Sequence, residues 1–158
     1  MNQIVVHEFK KDYRVPKFFI KQWHTDFIIS GKEKLYGKDL PGFTVFENNK
    51  IIGLLTYHVK NNECEIVTLN SLKENVGIGT SLVKSMIKKF KNTGILRIWL
   101  TTTNDNTDAM RFYQKKGFVF KKINTNTIQK SRDLGEAIPA IGHFGIPIKD
   151  EIEFEYPL

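Results

Sequence analysis

A single cysteine, Cys64, excludes an intramolecular disulfide framework, and it lies inside an apolar run where a thiol serves as a small core hydrophobe. That usage fits a reducing compartment, so the expected location is cytoplasmic. No apolar run approaches the length needed to span a bilayer. The opening MNQIVVHEFKKDY has no long apolar stretch and no small-residue cleavage pattern. Neither a membrane partner nor a signal peptide is expected. The four histidines, His7, His24, His58 and His143, lack metal-ligand spacing, and no metal is expected. There is no G-x-S-x-G motif of a serine hydrolase, and Cys64 has no evident partner for nucleophilic work. A basic tail and an arginine-rich helix are also missing. The net charge of +7 comes from lysines in short clusters such as Lys10-Lys11 and Lys88-Lys89, and no nucleic-acid motif accompanies them. Nucleic acid is therefore not the expected partner; a basic nucleic-acid module is the weakest reading. The surplus charge still favours a polyanionic ligand.

What is present describes one domain over residues 1–158, with 41% hydrophobic and 26% charged residues. Residues Ile4 to Phe9 predict a first strand. Pro16 suits the first turn of a helix. Phe19, Ile20, Trp23 and Phe27 recur at helical spacing, which predicts a helix towards Ile29 that stops at Gly31. FTVFE, IIGLLTYHV and ECEIVTLN are β-rich runs separated by Asn-Asn pairs, the pattern of an antiparallel meander. Leu82, Val83, Met86, Ile87 and Phe90 then share one helix face, and Gly94 is the expected stop. ILRIWLTT reads as a buried strand, NDNTDAMRFYQKKG as a capped helix ending at Gly117, and FVFKKI as another strand. In the tail, Ile152, Phe154 and Tyr156 alternate with Glu153 and Glu155. The order predicts an α/β (α+β) mixed sheet with a strand–loop–helix crossover near its middle.

That crossover carries KENVGIGTSL, residues 73–82. A helix N-terminus exposes unpaired N–H donors and a partial positive charge, and glycines before it let an anion approach the backbone. Asn75, Val76, Gly77, Ile78, Gly79 and Thr80 thus form a candidate pyrophosphate cradle, with Thr80 as a helix cap or an extra hydroxyl donor. A plain turn is the competing explanation. The dinucleotide fingerprint G-x-G-x-x-G/A fails because Leu82 stands at its last position, and no Gly-Lys-Ser or Gly-Lys-Thr of a phosphate-binding P-loop occurs.

A second motif follows. Asn106, Ala109, Phe112, Tyr113, Gly117 and Phe118 give N-x-x-A-x-x-F-Y-x-x-x-G-F at a suitable distance from the loop. With both motifs in order, the sequence resembles the GNAT acetyltransferase superfamily, most strongly over residues 63–123. The resemblance implies a mixed, mostly antiparallel central sheet of about seven strands flanked by helices. It implies acetyl-CoA as acyl donor, its pyrophosphate on the glycine loop and its pantetheine arm along Val67, Thr68 and Leu69, with Asn106 and Tyr113 beside it. Glu65 matches the position of a proposed general base, with Glu63 as rival, and Tyr113 that of the acid that protonates the leaving thiolate. The expected activity is direct N-acetylation of an amine. The acceptor would be a small molecule, slightly favoured, or a protein amine, and a homodimer is a mild expectation. One residue departs from the pattern: Glu74 stands where the loop usually carries Gln or Arg, which motivates an alternative, a non-catalytic acyl-CoA-binding or sensor module. The tail from Arg132 onward is similar to the ending of a group of small bacterial GNAT proteins that share no agreed acceptor. Residues 124–150 are too long for a hairpin turn and are expected to cover the acceptor side of the cleft, where His143 is a candidate acceptor contact.

Overall fold

Turn chemistry sets the meander. Asn48 and Asn49 have φ of 49° and 61°, and Asn61 and Asn62 have φ of 52° and 61°. Two successive left-handed residues make the two-residue turn whose twist matches an antiparallel hairpin, and asparagine tolerates that region. The turns join β4 (Gly42–Glu47), β5 (Lys50–Lys60) and β6 (Glu63–Ser71).

The computed structural model describes residues 3–158. Around the meander lie β1 (His7–Phe9), α1 (Val15–Trp23), a hairpin of β2 (Phe27–Ser30) and β3 (Glu33–Tyr36), α2 (Ile78–Phe90), β7 (Arg97–Thr103), α3 (Thr107–Lys115), β8 (Val119–Asn124), α4 (Ile128–Asp133) and β9 (Glu151–Pro157). Seven strands form one sheet in the order β1-β4-β5-β6-β7-β9-β8. Only β6 and β7 run parallel, joined by α2 as the crossover; every other pair is antiparallel. No helix among the described residues is long and apolar enough to cross a membrane.

Three expectations need correction. The first helix does not run towards Ile29. His24 takes φ of 60° and donates its N–H to the Ile20 carbonyl, which closes α1, while Ile20 is left 55% exposed. The run Phe27-Ile28-Ile29 is better suited to a strand, and Gly31 (φ 61°) turns the β2–β3 hairpin instead of ending a helix. Gly94 does not end α2, whose cap is Lys91; Gly94 (φ 86°) lies in the turn before β7. The segment after Asn124 contains α4 and is stitched into the fold. Arg132 donates to the carbonyls of Ile138, Pro139 and Ile148, and a Cβ on Gly142 would lie 2.0 Å from Asp105 Oδ2.

Two apolar clusters occupy opposite faces of the sheet. Leu82, Val83 and Met86 of α2 pack with Leu55, Ile66, Leu100 and Phe154. Val15, Phe18 and Phe19 of α1 pack with Leu35, Ile51 and Leu54. Each such side chain, fully buried, contributes about 1.5–3 kcal/mol. The second cluster reaches only as far as Val67, so the same face of β7 and β9 has no helix from α1 over it.

Candidate active site

The site starts from a failure of pairing. β6 and β7 are bonded only at Glu63↔Arg97, Cys64↔Ile98 and Glu65↔Trp99. Beyond that point β6 continues along β5 and β7 along β9, and the two strands part. The cause lies in β6. Thr56 pairs with Thr68 and Tyr57 with Ile66, so Val67 is an extra, bulged residue. A bulge sharpens strand twist and frees backbone groups. It also breaks the alternation of side chains. Val67 packs with the α1 cluster, Thr68 bonds Thr56 across the strands (2.7 Å), and Leu69 packs with the α2 cluster. Val67, Thr68 and Leu69 therefore border a gap towards β7, along the edge expected for the pantetheine arm.

β6 leads into the glycine loop. Gly77 (φ 88°) is the N-cap residue of α2, and no side chain caps the helix. The first intrahelical bond runs from Ser81 N–H to Gly77 O at 3.0 Å, so the N–H groups of Ile78, Gly79 and Thr80 precede it. Thr80 is thus a first-turn residue, not a cap. A Cβ at Gly79 would sit 3.3 Å from Phe112 Cζ, so glycine allows α3 to lie close to the loop. Together they enclose a cleft of about 650 Å³. Asn75, Gly77, Ile78, Gly79 and Thr80 line it, while Val76 is 53% exposed. Arg111, Phe112, Lys115 and Lys116 supply the opposite wall. Arg111 was missed in the sequence; its i, i+4 spacing to Lys115 is the signal that places both on one side of α3. Glu74 lines the cleft as well.

Asn106 caps α3, its side chain accepting the Ala109 N–H at 3.1 Å. Tyr113 is 7% exposed, its ring packed edge-on against Phe112 and Phe118. Burial pushes its phenol well above the usual range, so the hydroxyl keeps its proton at neutral pH, and it bonds no described residue.

Across the strand gap from α2 lies a second cavity of about 360 Å³, lined by Glu65, His58, Trp99 and the β2–β3 hairpin. Glu65 is 7% exposed. Ser30 Oγ donates to its Oε2 at 2.7 Å. Burial lifts the carboxyl to about 7 against that bond, and the charges of Glu151, Glu33 and Glu153 add to the rise. A carboxylate with such a pKa can accept a proton near neutral pH. The rival, Glu63, is engaged by Arg97 Nη2 at 3.0 Å. His143 does not line this cavity; its Nδ1 and backbone N–H both meet Asp105 Oδ2 at 2.9 Å. Cys64 is buried on the other face, its thiol raised to about 12 chiefly by burial, which leaves it a core residue. No cluster of metal-ligating side chains occurs among the described residues.

A strand gap that opens onto a glycine-capped helix on one side and a buried carboxylate on the other is the architecture of an acyl-CoA site. The family model for the acetyltransferase (GNAT) family matches residues 3–118. This chain belongs to the GNAT family. It is 41% identical over 138 residues to the uncharacterized protein YdhI of Bacillus subtilis (strain 168), covering 87% of this chain and 86% of YdhI. A GNAT family acetyltransferase from Elizabethkingia anophelis, solved with acetyl-CoA bound, superposes with a TM-score of 0.73 at 24% identity over 100% of each chain. An IAA acetyltransferase from Bacillus cereus ATCC 14579 gives 0.78 at 19% identity, covering 99% of this chain and all of that one. At these identities the solved structures speak for the fold: the mixed, mostly antiparallel seven-stranded sheet of this GNAT chain is the one they share.

Proposed function

We propose that this GNAT protein is an acetyl-CoA-dependent N-acetyltransferase that moves an acetyl group directly to an amine. The observation that carries the reading is the parting of β6 and β7 at the Val67 bulge, with the glycine loop at one end of the gap and Glu65 at its apex. The residues present fit the cofactor. Unpaired N–H groups of Ile78, Gly79 and Thr80 suit a pyrophosphate, and Lys115 and Lys116 add positive charge with no ion pair among the described residues. The free edge at Val67, Thr68 and Leu69 would hold the pantetheine arm by backbone hydrogen bonds, and one N–H there would meet the thioester oxygen. Asn106 reaches the arm only if its cap to Ala109 is shared.

Acetyl-CoA supplies an acetyl group activated as a thioester. The chain's residues orient the amine, exclude water and move protons. Holding both reactants in one gap removes the entropy of a bimolecular encounter. Glu65 accepts the proton that the amine releases as the new C–N bond forms. Tyr113 donates the proton that the sulfur takes as the C–S bond breaks. The products are an amide and the free thiol of coenzyme A, and solvent resets both side chains.

Calorimetric titration with acetyl-CoA, desulfo-CoA and ATP tests the cradle, and thiol release across an amine panel tests the transfer. Tight binding of the first two with poor binding of ATP is expected, together with acceptor-dependent thiol release. Absence of acetyl-CoA binding would overturn the reading. Glu74 in the cleft wall favours a second one, an acyl-CoA-binding module without turnover. On that reading Glu65→Gln and Tyr113→Phe leave binding intact and there is no activity to lose.

A further inference from the structure

The charge of the second cavity runs against that of the chain. Overall there are 24 Lys and Arg against 17 Asp and Glu, yet the uncovered face of β6, β7 and β9 is built from glutamates. Register pairs Glu65 with Trp99, Trp99 with Glu155, Thr101 with Glu153 and Thr103 with Glu151, and directly paired residues project from the same face. Some of this charge is answered. Arg97 meets Glu63 at 3.0 Å, Glu153 at 2.8 Å and Glu155 at 3.0 Å, and Lys60 meets Glu33 at 3.1 Å.

Three carboxylates have no cationic partner among the described residues: Glu65, Glu136 and Glu151. They converge through β2. Ser30 Oγ bonds Glu65, and the neighbouring Ile29 N–H bonds Glu136 Oε2 at 3.3 Å. Glu151 acts on both, raising the pKa of Glu65 and of Glu136, and all three carboxyls are lifted first by burial. Independently of that cluster, the cavity and the strand gap mark where an acceptor must enter. Glu65, more than nine-tenths buried, lines the cavity with Oε1 free of any described partner. Buried carboxylates left without a counter-charge are unfavourable, and a cation that completes them is held correspondingly well.

We propose that the acceptor is a small dibasic amine, of the aliphatic diamine or polyamine class, whose reacting nitrogen meets Glu65 while a second, cationic nitrogen is held by Glu136 and Glu151. The proposal rests on the transferase reading and names its substrate class. One ammonium group gives the proton abstracted at Glu65, and the other stays charged throughout. A single charge-assisted contact in a partly buried site discriminates by roughly 10- to 100-fold.

The test uses the full chain and two probes of equal length, 1,5-diaminopentane and 1-aminopentane, with both thiol release and direct calorimetric binding as readouts. The diamine is expected to show kcat/KM about tenfold or more above the monoamine. Glu136→Gln and Glu151→Gln are expected to bring that preference towards one, through KM more than kcat, and to weaken diamine binding by a similar factor. Equal use of the two amines, or variants that keep the preference, would overturn the proposal. The two readings fail differently. Diamine binding lost in the variants but with no thiol release would keep the cation site and remove the transferase. Thiol release without diamine preference would do the reverse. Absence of both would remove both.

Discussion

Ser30 and Glu65, 35 residues apart, are joined by a 2.7 Å hydrogen bond from the β2–β3 hairpin to the bulged strand β6. The bond holds one carboxylate oxygen and leaves the other towards the cavity. It also lowers a pKa that burial raises to about 7.

The pH profile of the transfer should follow from that balance. With Glu65 as base, kcat/KM rises as pH passes through about 7 and levels above it. Ser30→Ala removes the one contact that favours the ionised form, so the acid limb moves to higher pH. The activity at the alkaline plateau is largely retained. A pH series of thiol release with both proteins checks this, and an unmoved limb would remove Glu65 from the base role.

Stability should respond in the opposite sense. The Glu65 carboxyl titrates near 4.5 when unperturbed and near 7 in the fold, so the folded chain binds the extra proton between those values. The contribution is fully present below about 4.5 and is lost as pH rises through 7. Glu65→Gln escapes that loss. At pH 8 it should be more stable by on the order of 1–3 kcal/mol, raising Tm by about 3–6 °C, with the gain vanishing near pH 4. Thermal melts at the two pH values provide the comparison. The same variant should lose about 100-fold or more in kcat, a site kept for function at the expense of stability.

Gly77 holds φ of 88° where the loop enters α2. Gly77→Ala should cost about 1 kcal/mol of stability through the left-handed backbone. It should also turn the first N–H groups of α2 away from the pyrophosphate, weakening acetyl-CoA binding by roughly tenfold, with little change in the affinity for the amine. Calorimetry with acetyl-CoA reads the first effect and amine KM the second.

Tyr113→Phe removes a buried hydroxyl that bonds no described residue, so the fold should keep its Tm within about 2 °C. Acetyl-CoA affinity should also hold. Loss of the proton donor should lower kcat by roughly 10- to 100-fold. Unchanged kcat would assign Tyr113 to packing between Phe112 and Phe118 alone.

The sequence by itself determined what depends on near neighbours. The Asn-Asn pairs fixed two hairpin turns because both residues accept a left-handed backbone, and the apolar spacing of Leu82, Val83, Met86 and Phe90 fixed the buried face of α2. Gly77 and Gly79 at a strand-to-helix junction announced an anion cradle, and the motif from Asn106 to Phe118 pointed to the family before any coordinates. Phe27 misled because its spacing from Phe19 and Trp23 fits a helix, and the cap at His24 that ends α1 has no strong sequence mark.

Only the tertiary structure decided what the site contains. Val67 is one apolar residue among several until the register of β5 and β6 makes it a bulge and parts β6 from β7. The alternation IEFEY placed Glu153 and Glu155 on one face, but nothing local said that Arg97 would neutralise them and leave Glu151 without a partner. Glu136 reaches the β2 strand across 107 residues of chain, at Ile29 beside Ser30. Charges act through space over the folded distance, so their convergence, their raised pKa values and the cation they call for exist only once the sheet has brought these strands together.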